Sequence, residues 1–174
     1  MADSDTITAQ ELRFERLLDA PVETVWRYLI EPDLRARWFM GGPTEPHAGG
    51  RFGLTFDHAS LSDGDIPTPE RFARNAGKSW SETIERIEPP HLLVISWDNG
   101  QAGSVEFRLA AAGEDKTQLI LTHTGLRGPD DARNFGGGWR AHLEVLQRRL
   151  AGRPVPDFWA IHRESEERAA AALV

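Results

Sequence analysis

The stretch Pro129–Leu150, PDDARNFGGGWRAHLEVLQRRL, decides the fold. Its apolar residues Phe135, Trp139, Leu143, Leu146 and Leu150 recur at spacings of four, four, three and four, the stripe of a helix that buries one face. Gly136, Gly137 and Gly138 stand together in its first half, where each costs roughly 1 kcal/mol relative to alanine. Side-chain bulk is avoided there for one of two reasons. Either a packing partner approaches the helix backbone closely, or space beside Trp139 is kept free for a ligand. Both readings stay open at the level of sequence.

What precedes this helix reads as strands in need of a cover. Thr117 to His123 carries Leu119, Leu121 and His123 on one face, and Ser104 to Leu109 alternates through Val105, Phe107 and Leu109, the period of a half-buried strand. His91 to Trp97 is almost continuously apolar, as expected of a central strand. Ser79 to Ile87 and Arg51 to Phe56 read as two more, the latter with Phe52, Leu54 and Phe56 facing one way. Turn signals at Pro89-Pro90, Asn99-Gly100 and Gly113 to Asp115 are too short for crossovers, so these neighbours pair antiparallel.

At the N-terminal end, residues 1–6 are predicted to be a flexible tail and 7–18 a single strand with Leu12, Phe14 and Leu18 inward. Pro21 opens a helix striped by Val22, Val25, Trp26, Leu29 and Ile30, and Pro32 ends it. A second short helix is expected over 33–39, with Leu34 and Trp38 on one face. Between the strands, residues 57–78 form a polar connection longer than the roughly 12–15 residues usual in compact domains, which makes it a lid candidate. The domain is thus read as 7–152, followed by a helical extension over 153–174. In that extension Asp157 is placed to cap a helix, and Phe158, Trp159 and Ile161 must be buried. The outer face of the sheet or a second subunit would serve, and a homodimer through this extension is favoured.

Composition narrows the function. Lys plus Arg is 20 and Asp plus Glu is 27, a net charge of −7, which argues against nucleic acid and anionic membranes as partners. The chain has no cysteine, which removes disulfides, thiolate catalysis and cysteine-ligated zinc. The opening MADSDTITAQ lacks a basic region and an apolar core, so no signal peptide is read, and no apolar run approaches the roughly 20 residues of a membrane span. A cytoplasmic protein is expected.

The order strand, two short helices, further strands and a long last helix resembles the helix-grip fold of the START and Bet v-like (SRPBCC) superfamily. The resemblance is nearer to the branch named after the C-terminal domain of the activator of the 90-kDa heat-shock protein ATPase. It rests on Arg16, Ala20-Pro21-Val22-Glu23 with Val25-Trp26, Pro32, Leu34 and Trp38, then Gly49-Gly50-Arg51-Phe52. It continues through Ile84-Glu85, Ile87, Pro89-Pro90, Leu92 and Trp97, through Thr117, Leu119 and Leu121-Thr122-His123, and through Gly138-Trp139 with Leu143 and Leu146. What it implies is an α+β fold in which a curved antiparallel sheet of about six strands wraps the long helix. It also implies a cavity between them for an apolar or amphipathic small molecule. Function varies widely on such a fold.

Aromatic side chains supply the flat walls of ligand pockets, and the candidates here are Trp38, Phe52, Phe56, Trp80, Trp97, Phe135 and Trp139. Aromatic residues at strand and helix spacing are more often core than binding site, and that reading stands beside the first for each. His123 joins them, carried to the inner face by the alternation of its strand, either to orient a ligand or as a hydrogen-bonded residue at a strand end. His142 falls off the helix stripe and is expected at the flank or in solvent. The six histidines, at 47, 58, 91, 123, 142 and 162, show no i, i+4 pairing, so neither a metal site nor a cofactor is expected. No nucleophile elbow, HExxH helix or phosphate loop occurs. Binding without catalysis is therefore the first reading. The alternatives are a protein-interaction module acting as a chaperone co-factor, and a cyclase-like enzyme using His123 with Glu82.

Overall fold

In the computed structural model, which describes residues 3–174, seven antiparallel strands form one sheet. They are β1 Ser4–Ile7, β2 Glu11–Leu18, β3 Arg51–Thr55, β4 Ser79–Glu88, β5 Leu92–Ser96, β6 Ser104–Ala111 and β7 Thr117–Thr124, in the spatial order β1-β2-β7-β6-β5-β4-β3. The alternation read from sequence sets the buried face. Leu12, Phe14 and Leu18 of β2, Val105, Phe107 and Leu109 of β6, and Leu119, Leu121 and His123 of β7 are all buried, and cross-strand partners such as Phe14 and Leu121 share that face.

The sheet has one strand more than expected because the stretch predicted as a single strand is a hairpin. Thr8 Oγ1 accepts from the Glu11 backbone N–H at 3.0 Å and from that of Gln10 at 3.3 Å, a local turn bond that ends one strand and starts the next. The flexible tail predicted over residues 1–6 is corrected accordingly. Ser4–Ile7 is an edge strand, held where the buried Arg16 donates to Asp5 Oδ1 at 2.6 Å and to the Ser4 carbonyl at 3.2 Å. Residues 1 and 2 of that predicted tail lie outside the described residues.

Helix α1, Val22–Ile30, follows Pro21 as expected and buries Val22, Val25, Tyr28 and Leu29. Helix α2 is a single turn, Pro32–Arg35, shorter than predicted, with Pro32 opening it, since a proline's missing N–H costs nothing at a first helical position. Its last residue, Arg35, has no exposed surface and, among the described residues, no carboxylate partner. It donates to the carbonyls of Met40 (2.8 Å), Leu29 (2.9 Å), Gly42 (3.1 Å) and Gly53 (2.8 Å), and its guanidinium lies 3.9 Å from the Phe52 ring centre. This side chain ties the segment after α2 to β3. Burial lowers its pKa to about 9 from 12.5, which leaves it charged at neutral pH.

Helix α4, Pro129–Leu150, presents the predicted stripe of Trp139, Leu143 and Leu146 to the sheet. It also has a second buried face. Helix α5, Phe158–Ala172, capped by Asp157 accepting from the Ala160 N–H at 3.1 Å, packs along its back. Two of the three glycines explain the approach. A Cβ at Gly137 would stand 2.8 Å from Glu166 Cγ and 3.0 Å from its Cα, and one at Gly136 would stand 3.4 Å from Ala169 Cβ and Ile7 Cδ1. Phe158, Trp159 and Ile161 are thereby buried inside one chain, which removes the reason the sequence offers for covering them with a second subunit. The chain end continues onto the sheet, where the Val174 N–H donates to the Ile7 carbonyl at 3.1 Å.

The connection 57–78 carries a 3-10 turn, His58–Leu61, and a single-turn helix α3, Glu70–Ala73. Its first half is tied to the segment before α5. Asp63 accepts from the Val155 N–H at 2.6 Å and from Arg149 at 2.8 Å, and Ser62 Oγ accepts from the Phe158 N–H at 2.9 Å.

Candidate functional site

Between the N-terminal half of α4, the sheet and the 57–78 connection lies a cavity of about 160 Å³. The segment after α2 contributes Phe39 and Met40, Phe56 follows β3, the connection contributes His58 and Phe72, and Trp97 follows β5. Helix α4 contributes Asn134, Phe135, Gly138, Trp139 and His142, and α5 contributes His162. The third glycine belongs here, for a Cβ at Gly138 would meet nothing within 4 Å. The two readings of the glycine triplet are therefore both realised, with Gly136 and Gly137 admitting α5 and Gly138 facing open space. The size suits one or two fused rings, since an apolar cavity of about 150 Å³ takes benzene.

Of the eight residues predicted for ligand contact, Phe56, Trp97, Phe135 and Trp139 line this cavity. Trp97 and Trp139 meet at 5.2 Å between ring centres, and Phe39 approaches Trp139 at 5.1 Å. The other four lie elsewhere. Trp38 is fully buried in the core, its indole N–H donating to the Tyr28 carbonyl at 2.8 Å. Phe52 is buried beneath Arg35. Trp80 is 40% exposed on a shallow groove with Pro43, Leu54 and Ser81, because β3 and β4 form the sheet edge farthest from β1. His123 stands behind the wall, not in it. Its Nε2–H donates to the Ala102 carbonyl at 2.8 Å, and its Nδ1 accepts from the Trp139 indole N–H at 3.1 Å, so it fixes the orientation of Trp139.

The histidines of the wall were missed. His142, expected at the flank or in solvent, is buried and lies one turn beyond Gly138 on the same helix face, a spacing of four that was legible. Its Nδ1 lies 2.9 Å from the Trp38 carbonyl, so Nδ1 carries the proton and Nε2 is a bare acceptor. His58 stacks on Phe56 at 3.8 Å and meets His142 edge to face at 4.7 Å. Its Nδ1 is buried without a partner. His162 contacts Glu166 at 3.1 Å. Nothing in sequence brings 58, 142 and 162 together, because their meeting depends on α5 folding back. Burial is the largest cause of the lowered pKa of each, taking His58 to about 2 and His142 to about 3, with neighbouring histidines adding to the shift of these two, while for His162 Glu166 opposes the lowering and Arg71 adds to it. All three are neutral at pH 7. Among the described residues, no group of three or more His, Asp or Glu could hold a metal ion. Glu82, the other half of the cyclase-like reading, accepts from Ser96 Oγ (2.8 Å) and from the N–H groups of Asp98 and Asn99 (3.1 Å each). It caps the turn after β5 and is absent from the cavity wall.

A curved antiparallel sheet gripping a long helix, with an aromatic cavity between them, defines the helix-grip class of the SRPBCC superfamily. Within it, the chain belongs to the family described as activator of Hsp90 ATPase homolog 1-like protein, whose model matches residues 19–151. A Bordetella parapertussis protein solved in solution is 37% identical, with a TM-score of 0.78 over 97% of this chain and 94% of that one. The crystal structure of CalU16 from Micromonospora echinospora is 27% identical, with a TM-score of 0.69 over 99% and 98%. The solution structure of the Aha1 dimer from Colwellia psychrerythraea, 13% identical with a TM-score of 0.59 over 80% and 95%, shares the fold. No curated protein matches. Among the described residues no helix is long and apolar enough to cross a membrane.

Proposed function

We propose that the protein binds an apolar or amphipathic small molecule in the cavity between α4 and the sheet, without catalysis. One observation carries this reading: a cavity of about 160 Å³ walled by Phe39, Phe56, Trp97 and Trp139, beside a helix glycine whose missing side chain leaves it open. A helical glycine that admits no packing partner costs stability, and a bound ligand supplies a reason to keep it. Extraction of the purified protein followed by mass spectrometry, with a thermal-shift screen of apolar compounds, tests it. A bound ligand raises the melting temperature by mass action. Gly138→Leu, which fills the cavity from the helix side, abolishes that rise while the fold is kept. A rise of equal size in Gly138→Leu overturns the assignment to this cavity.

A second reading follows from the family description, a co-factor role toward a chaperone ATPase. Added protein then changes the turnover of a 90-kDa heat-shock protein ATPase, and unchanged turnover removes this reading. A homodimer through α5 is a separate expectation, checked by sedimentation of the full chain.

A further inference from the structure

The cavity is lined mainly by aromatic rings, with Asn134 and His162 also in the wall, and its two least exposed polar groups, His58 and His142, stand edge to face, 4.7 Å apart. Tryptophan and phenylalanine need no partner inside a cavity, but a neutral imidazole carries one N–H and one lone pair, and burying either unmet is costly. His142 has spent its N–H on the Trp38 carbonyl, which leaves a lone pair on Nε2. His58 is only 7% exposed and its Nδ1 has no partner. Around the pair stand rings, not charges: Phe39 edge-on to His142 at 4.9 Å, Phe56 stacked on His58, and Phe158 beside both at 5.2 and 5.4 Å. On α5, Glu166 is engaged by Arg71 at 2.5 Å and by His162 at 3.1 Å. The polar corner therefore offers hydrogen-bonding capacity and no counter-ion, so a charged ligand would be desolvated without compensation.

We propose that the occupant is a neutral aromatic molecule of one ring or two fused rings bearing a single hydroxyl, whose O–H donates to His142 Nε2 beside His58 while the ring lies among Phe39, Phe56 and Trp97. This rests on the reading above that the cavity takes an apolar ligand, and it names the ligand's class. An aliphatic chain would leave the imidazoles unmet, and a carboxylate would face no cation. The volume of about 160 Å³ sets the ring limit.

Calorimetric titration of the full chain with phenol, anisole, toluene and benzoate tests it. Phenol is expected to bind about tenfold more tightly than anisole or toluene, the worth of one buried hydrogen bond, and benzoate not measurably. His142→Asn, whose amide can still donate to the Trp38 carbonyl but has no atom at Nε2, brings phenol to within about twofold of toluene and leaves toluene unchanged. His58→Phe is the second variant and lowers the phenol preference with the apolar wall intact. Anisole or toluene binding as tightly as phenol overturns the proposal and leaves the apolar-cavity reading standing. A phenol preference that survives both substitutions overturns it too. Failure of toluene and phenol alike overturns both readings.

Discussion

Alanine at Gly137 and alanine at Gly138 should move stability in opposite directions, although the two residues are neighbours on one helix. Both substitutions gain the same helix term, about 0.5–1 kcal/mol, because alanine loses less backbone freedom on folding than glycine. At 138 nothing opposes it, since the new methyl group meets no atom within 4 Å, and a Tm rise of about 1–4 °C follows for a chain of this size. At 137 the methyl group would stand 2.8 Å from Glu166 Cγ and 3.0 Å from Glu166 Cα. The side-chain atom can rotate away, but the Cα belongs to the α5 backbone, so the two helices must separate. Overpacking of this kind costs about 1–3 kcal/mol, leaving a net loss of up to about 2.5 kcal/mol. Gly136→Ala, with ordinary contacts from 3.4 Å upward, falls between them. Urea denaturation followed by circular dichroism, supported by thermal melts, measures all three. If 137 and 138 shift stability with the same sign, or differ by less than about 0.5 kcal/mol, the division of the triplet between packing and cavity is wrong.

Arg35→Met removes the guanidinium donor from the carbonyls of Leu29, Met40 and Gly53, while Gly42 keeps the Thr44 hydroxyl, and at about 1–3 kcal/mol for each of these buried unmet groups the urea-unfolding free energy should drop by about 3 kcal/mol or more. A loss below about 1 kcal/mol would show that water replaces the guanidinium. For pH, His58 at about 2 and His142 at about 3 both lie below the usual 6.5. Their stabilising contribution is complete above pH 6.5 and falls as the unfolded chain alone takes up protons, about 3 kcal/mol for the pair by about pH 5.5. Equal unfolding free energies at about pH 7.5 and 5.5 would contradict their burial as neutral groups. Trp38→Ala should cost about 3–5 kcal/mol, whereas Trp80→Ser at the exposed sheet edge should cost less than about 1 kcal/mol. Similar losses at the two sites would refute the different burial of these rings.

The elements with strict periodicity were legible in the sequence, and the contacts between distant ones were not. The alternation in β2, β6 and β7 located the inner face residue by residue, because a strand's side chains can go only to two sides. The hairpin at Thr8–Gln10 escaped because its turn is closed by a threonine hydroxyl with no glycine or proline to mark it. Four of the seven aromatic candidates line the cavity, and the other three are core or edge. Composition cannot separate these fates, since Trp38 and Trp139 sit on similar helical patterns and differ only in which neighbour lies across from them. His142 is not marked by the stripe because the flank beside the stripe is covered by Trp38 and Phe39 after α2 and by His58 of the long connection, segments whose approach to α4 no local periodicity shows.

The second buried face of α4, the one α5 covers, bears on what the family assignment can carry. The family model covers residues 19–151, which includes the sheet from β3 to β7 and α4 but neither β1 nor α5. Yet α5 supplies His162 to the cavity wall, and its Phe158 and Trp159 back His58 at 5.4 and 6.0 Å. Phe72 of the long connection is held against Trp159 at 5.1 Å. The polar corner of the cavity therefore depends on a helix outside the matched region, and a family-wide activity transfers the grip without the wall. Shortening the chain before Pro154 tests this dependence. It exposes Gly136 and Gly137 on α4, frees His58 from Phe158, and should abolish any ligand-induced rise in melting temperature even if the sheet and α4 stay folded. A truncated chain that stays folded and keeps the full rise would show that the site belongs to the grip alone.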